Sequence, residues 1–383
     1  MIFLAINVFV PKFHTDEILE EIRLCLDKGW TGVGFKTVEF EEKWKEYSGV
    51  KNAHFLNSNT SGLHLAVRVL KLKFGWKDGD EIITTPFTFI SPNHAILYEN
   101  LKPVFADVDE YLCLDPKSVE KRITPKTRAV MFVGVGGNTG QYEEIIRICK
   151  KHNLKLILDA AHMAGTKFNE KHIGPEADVV VFSYHAVKNL PSADSGMICF
   201  ADSSLDKEVR KQSWLGINKD TYQRFNETQS SYKWRYAVDE IGFKYHGNSV
   251  IAAIAIVQLK YLEEDNARRV EIAMLYDKLL SGVNGVEVVK VAPNCKSSRH
   301  LYQICVKNRD DIVQHFYENE IYPGVHYIDN TDYPMYSYGK GTCPVAHKKS
   351  AEVITLPIHL NLTDDDCKRI VDVLKSGLKK FEN

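Results

Sequence analysis

The stretch Asp178-Val-Val-Val-Phe-Ser183-Tyr-His-Ala-Val-Lys188-Asn-Leu-Pro191 decides the reading of the chain. Val179, Val180, Val181 and Phe182 form an unbroken apolar and β-branched run, the pattern of a strand buried on both faces. The chain leaves that run through hydroxyl, imidazole and amine groups, so a buried strand delivers polar chemistry to its end. A lysine placed there can lose part of its hydration, which lowers its pKa and suits it to imine formation with an aldehyde. Taken alone, the stretch fits a solvated surface lysine better, because most lysines lie at the surface.

A second run changes the balance. Leu154-Lys-Leu-Ile-Leu-Asp159-Ala-Ala-His162 is again short and apolar, and it ends in a carboxylate followed by small residues that let a flat group approach. Asp159 would be costly at the end of a buried strand without a cationic partner. The protonated ring nitrogen of pyridoxal phosphate is such a partner, and an Asp on that nitrogen with a Lys on the aldehyde is the recurring pair of enzymes that use it. At these residues the chain resembles the DegT/DnrJ/EryC1/StrS family of sugar aminotransferases, which have the aspartate-aminotransferase fold. Asp159 to His162 is similar to the family's Asp-Ala-Ala-Gln/His element. Ser183 to Lys188 is similar to its Ser-Phe-His-x-x-Lys element, with Tyr184 in place of Phe.

Composition bounds the alternatives. With 383 residues the chain exceeds the usual size of a single core. We expect two units, 1–249 and 250–383, the first a large α/β unit with an N-terminal arm and the second a linking helix with a small α+β unit. Hydrophobic residues at 44%, charged residues at 26% and a net charge of -1 are ordinary for a soluble protein. That balance gives no sequence-wide pull toward nucleic acid or an anionic membrane. The N-terminal run lacks a basic flank and meets Pro11 early, so it reads poorly as a signal peptide, and no stretch reaches a membrane span of ~18 apolar residues. The eight cysteines contain no Cys-x-x-Cys pair, which disfavours a zinc site and a disulfide framework. A cytoplasmic protein with reduced thiols is the expectation.

Periodicity predicts helices over 16–28 and 39–47, with the Gly-rich 29–35 as a loop between them. Strands at 53–56, 81–85, 103–106 and 129–133 then alternate with helices, which implies a mostly parallel sheet covered on both faces. Residues 57–62 read as a loop between strand and helix, where free amides and the helix dipole favour a phosphate. A plain N-cap by Ser58, Thr60 or Ser61 is the commoner use of such residues. A long helix is predicted over 250–280, interrupted at the charged stretch 263–269 by a solvated turn or bend. Beyond Gly285 the pattern is of short strands and helices, 286–291 and 301–306 among them.

The resemblance covers about Trp30 to the last helix and implies a set of site residues. Lys188 would carry the cofactor and Asp159 would hold its ring nitrogen. Asn59, standing where the family usually has Gly, and Thr60 would hold its phosphate, with Ser183 as a further contact. Phe89 would lie against the ring and His162 would reach the phenolic oxygen, where many relatives have Gln. The segment Gly242-Phe-Lys244-Tyr-His246 resembles one that crosses a dimer interface in the family, with Lys244 for Asn and His246 for Arg. Lys244 would therefore serve the partner's phosphate site. His326 and Tyr327 resemble a substrate-facing pair, although a lone histidine is more often structural.

These resemblances imply a homodimeric fold type I enzyme that moves an amino group, with glutamate as donor, to a nucleotide-linked 3- or 4-keto deoxy sugar. The product would be an amino sugar for a surface polysaccharide or glycoconjugate. A sister reaction in the family, dehydration by members with His at the lysine position, is disfavoured by Lys188. A catalytically silent binding or regulatory member is the alternative from another class. Nothing in the chain resembles an appended nucleic-acid-binding segment.

Overall fold

The computed structural model describes residues 5–218, 222 and 236–381, so the first four residues of the N-terminal run lie outside them. Seven strands form the main sheet: β1 (Asn52–Leu56), β2 (Glu81–Thr84), β3 (Lys102–Phe105), β4 (Thr127–Val133), β5 (Lys155–Ala160), β6 (Val179–Ser183) and β7 (Gly196–Phe200). Their spatial order is β1-β7-β6-β5-β4-β2-β3. All neighbours are parallel except β7, which runs antiparallel to both β6 and β1. Alternation within the strands builds one apolar layer on each face. Val180 and Phe182 of β6 pack with Val130 and Phe132 of β4 in one cluster, while Val179 and Val181 pack with Ala129 and Met131 in the other. Each fully buried Val or Phe stabilises the sheet by roughly 1.5–3 kcal/mol, so the two valine-rich faces, rather than strand propensity alone, hold β6 central.

Helix α1 is Thr15–Asp27, α2 is Phe35–Ser48 and α3 is Asn59–Phe74. Helix α2 begins four residues before the expected start, and Phe35 of the supposed Gly-rich loop is its first residue. Helix α3 claims most of the expected loop at 57–62. Ser58 is its N-cap, its side chain accepting from the Ser61 amide, and Gly75 ends it in the left-handed conformation at φ +64°.

The long helix Ser249–Leu280 corrects another expectation, since its 32 residues run unbroken through 263–269. The charged stretch is partly inward-facing. Asp265, Asn266 and Arg269 are buried, with Asn266 donating to the Ala164 carbonyl at 3.0 Å and Arg269 to the Ile358 carbonyl at 3.0 Å. Tertiary partners for polar groups made the helix interior tolerable there, and a charge count cannot reveal such partners. After this helix, strands Val286–Val288, Tyr302–Val306 and Val353–Leu356 form a small antiparallel sheet. Ile6–Asn7 pairs with Ile321–Tyr322, so this start of the N-terminal arm docks on the C-terminal unit and Ile6 enters its core. No described helix is long and apolar enough to cross a membrane.

Candidate active site

The carboxyl ends of β4, β5 and β6 lie side by side, with Val133 paired to Asp159 and Asp159 to Val181. A cavity of about 750 Å³ opens over this edge, where a mostly parallel sheet exposes its strand ends. It receives Asn59, Thr60, Phe89, Asp159, His162, Ser183, Lys188, His326 and Tyr327, nine of the ten residues singled out from sequence.

Lys188 sits in the connection from β6 to β7. The base of that connection is tied by hydrogen bonds from the Tyr184 amide to the Ser195 carbonyl (2.9 Å) and from the Ser192 amide to the Tyr184 carbonyl (2.8 Å). The residue is half-buried, and loss of hydration pushes its amine down to about 8, against the opposing pull of Asp159. Asp159 is 4% exposed, and burial pushes its carboxyl up to about 6. Its Oδ1 accepts from the Ala161 amide (3.1 Å) and from Asn59 Nδ2 (3.2 Å), both neutral donors. Among the described residues no cation forms an ion pair with it.

The start of α3 faces the same cavity. The first amides of a helix have no intrahelical acceptor, which leaves those of Asn59 and Thr60 available. The Asn59 side chain turns away from them, donating to Asp159 and to the Val181 carbonyl at 3.1 Å. What it adds is therefore a hold on the carboxylate, and the helix end keeps its backbone. Thr60 Oγ1 meets Ser91 Oγ at 2.5 Å, and Ser183 Oγ accepts weakly from the His185 amide at 3.4 Å.

His162 Nδ1 accepts from the Gly136 amide at 3.1 Å, and burial holds the ring well below its usual pKa. The neutral ring then carries its proton on Nε2 and donates to Tyr327 Oη at 3.0 Å, which frees the tyrosine hydroxyl proton. Phe89, 59% exposed, stands at the cavity rim with its ring 6.3 Å from that of Tyr327. His326 Nδ1 lies 2.9 Å from Thr355 Oγ1, and burial pushes its pKa down to about 4.

Lys244 is the residue that this chain's own cavity does not include. Its ammonium lies 3.4 Å above the Trp214 ring, while Asn57 Nδ2 donates to its carbonyl at 3.2 Å beside the start of α3. Sequence reading missed His300, Asn189 and Asn266. Asn189 Nδ2 donates to Asn266 Oδ1 (2.6 Å) and to the Ser298 carbonyl (2.7 Å), and its Oδ1 meets His300 Nδ1 at 2.9 Å. These partners are 77 to 111 positions apart, so no local spacing could signal them. The adjacency of Asn189 to Lys188 was the one available hint.

Solved structures share this architecture. The protein Spr1654 of Streptococcus pneumoniae in its PMP-form matches with TM-score 0.90 at 26% identity, over 97% of this chain and 99% of that one, and the same protein is known in a PLP-form. The class is that of fold type I, pyridoxal-phosphate-dependent aminotransferases. Within it, the chain belongs to the DegT/DnrJ/EryC1/StrS aminotransferase family, whose family model matches residues 13–375. Two curated relatives are each 32% identical. The spore coat polysaccharide biosynthesis protein SpsC of Bacillus subtilis matches over 97% of this chain and 96% of its own length. The dTDP-4-dehydro-2,3,6-trideoxy-D-glucose 4-aminotransferase of Saccharopolyspora spinosa matches over 98% and 97%.

Proposed function

We propose that this protein transfers the amino group of glutamate to a nucleotide-linked 3- or 4-keto deoxy sugar, making an amino sugar for a polysaccharide or glycoconjugate. The observation that carries the reading is the buried Asp159 carboxylate, held by neutral donors and open to the cavity that Lys188 shares. A protonated ring nitrogen fits it, since a buried carboxylate calls for a cation. The relatives' activity and role, a nucleotide-linked sugar substrate and polysaccharide biosynthesis, support the substrate class.

Pyridoxal phosphate, when bound, supplies the aldehyde that captures the amino group and a ring that accepts electrons. The residues of this chain do the rest. Lys188 anchors the cofactor, and its Nζ takes up and returns the migrating proton, a role suited to an amine with pKa about 8. Asp159 keeps the ring nitrogen protonated. The Asn59 and Thr60 amides and the Ser183 hydroxyl would hold the phosphate, for which the positive end of α3 is suited. Phe89 would cover the ring, His162 and Tyr327 would supply donors at its oxygen side, and His326 would face the sugar. Lys244 reaches the phosphate of a second subunit in a homodimer, a reading supported by its position outside its own chain's cavity.

The test is a visible spectrum of the purified protein followed by borohydride reduction and peptide mapping. We expect a violet absorption band, with the cofactor mass on the Lys188 peptide. A panel of nucleotide-linked 3-keto and 4-keto sugars with glutamate, read by mass spectrometry, then identifies the acceptor. Failure of every keto sugar, with the band present, would overturn the substrate class.

A further inference from the structure

His300 has no role in the reading above, yet its hydrogen bonding is fully determined. The Ser298 carbonyl can only accept, so the Asn189 atom facing it at 2.7 Å is the amide nitrogen and the oxygen faces His300. His300 Nδ1 must then carry the proton. Burial and the nearby His162, Lys188, Arg269 and His326 hold the ring well below its usual pKa, so it is neutral and Nε2 bears a lone pair. Phe9 stacks on the ring at 5.3 Å and His162 lies 4.3 Å away, which covers its faces. The residue is 1% exposed and lines the cavity, and among the described residues its ring is hydrogen-bonded through Nδ1 alone. Nε2 is open to the cavity, so water serves it in the empty pocket, and a ligand that displaces that water has to supply the donor in its place.

We propose that His300 is a substrate-binding residue whose Nε2 accepts a hydrogen bond from a hydroxyl of the nucleotide-linked sugar. This rests on the sugar aminotransferase reading of the site. Its position follows from Asn189, the residue after Lys188, which orients the imidazole and ties it to the loop bearing the reactive amine. Its selectivity follows from the lone pair. A neutral acceptor repels the two carboxylates of glutamate and attracts a hydroxyl, so His300 separates the two halves of the reaction.

The experiment uses the holoenzyme and follows each half alone. Loss of the violet band with glutamate reads the first half. Return of the band on mixing the aminated enzyme with the keto sugar that the wild type turns over fastest reads the second. His300→Phe keeps the ring stacking and removes the acceptor together with the Nδ1 donor to Asn189, and His300→Gln restores an amide with both a donor and an acceptor. We expect His300→Phe to retain the band, to keep the glutamate half within about threefold, and to lose about tenfold or more in the sugar half, with His300→Gln recovering part of that loss. Equal losses in both halves, no loss in either, or absence of the band in both variants would overturn the proposal. A wild type that bleaches with glutamate but accepts no keto sugar would instead refute the functional reading on which it rests.

Discussion

Lys188 and Asp159 depart from their ordinary ionisation in opposite directions, and burial is the larger cause in both. Below about 8 the amine is protonated and cannot attack an aldehyde, so capture of pyridoxal phosphate by the cofactor-free protein should rise with pH through a midpoint near 8. A midpoint near the ordinary lysine value, about 10.4, would mean that the amine is solvated. Lys188→Ala should leave the protein folded and reduce transamination by about 10²–10⁴-fold, the usual range for a proton-moving group, and steady-state kinetics on a cofactor-saturated sample checks this. Asp159→Asn separates activity from stability. Because the folded carboxyl titrates higher than the unfolded one, its cost to the fold appears as pH rises from about 3.8 to 6 and is full above that. The cofactor-free variant should therefore melt higher than the cofactor-free wild type at pH 7 while turnover collapses. Equal or lower melting temperatures in calorimetry would show that the carboxylate is already compensated in the empty pocket.

Helix α3 reaches the cavity because it can lie close against the sheet. A Cβ added at Gly62 would meet Val181 Cγ1 at 2.4 Å and Leu56 Cδ1 at 3.2 Å, so Gly62→Ala has to push the helix outward or distort β6. We expect a loss of about 1–3 kcal/mol in urea unfolding, together with weaker cofactor binding by titration, because the displaced element carries the phosphate-facing amides. Unchanged affinity would detach the helix end from the cofactor. The same element shows what was legible beforehand. The Asp159 and Lys188 strands could be read from their unbroken apolar runs, the roles of the two residues came from the pair together with the family resemblance, and the alternation of strands and helices disclosed the sheet class. The true start of α3 was hidden because Asn59 and Thr60 are equally at home in a loop, and only Ser58 with its amide partner decides between them. The Asn189, Asn266 and His300 cluster was hidden because it is assembled by packing between distant segments. The unbroken helix at 263–269 was hidden for the same reason, since its charged side chains find their partners across the fold.

At the scale of the molecule, the placement of Lys244 outside its own cavity leads to a complementation experiment. Lys188→Ala and Lys244→Glu should each be inactive alone. If Lys244 serves the neighbouring subunit, a mixed dimer has one pocket with both defects and one with neither, so exchange of subunits should restore about half of the wild-type activity per mixed dimer. No recovery, with exchange verified by mass spectrometry, would assign Lys244 to its own chain or to no site. The proposed division into 1–249 and 250–383 also meets the long helix at its first turn. Ala252, Ala255, Ile256 and Leu262 of that helix belong to the core under the large sheet, whereas Ile272, Ala273, Tyr276 and Leu280 belong to the core of the C-terminal unit. One rod, about 48 Å long at 1.5 Å per residue, is thus common property of both. Neither core can melt without fraying the helix that completes the other, so heat should dismantle the chain in one cooperative step, with both units lost at the same temperature.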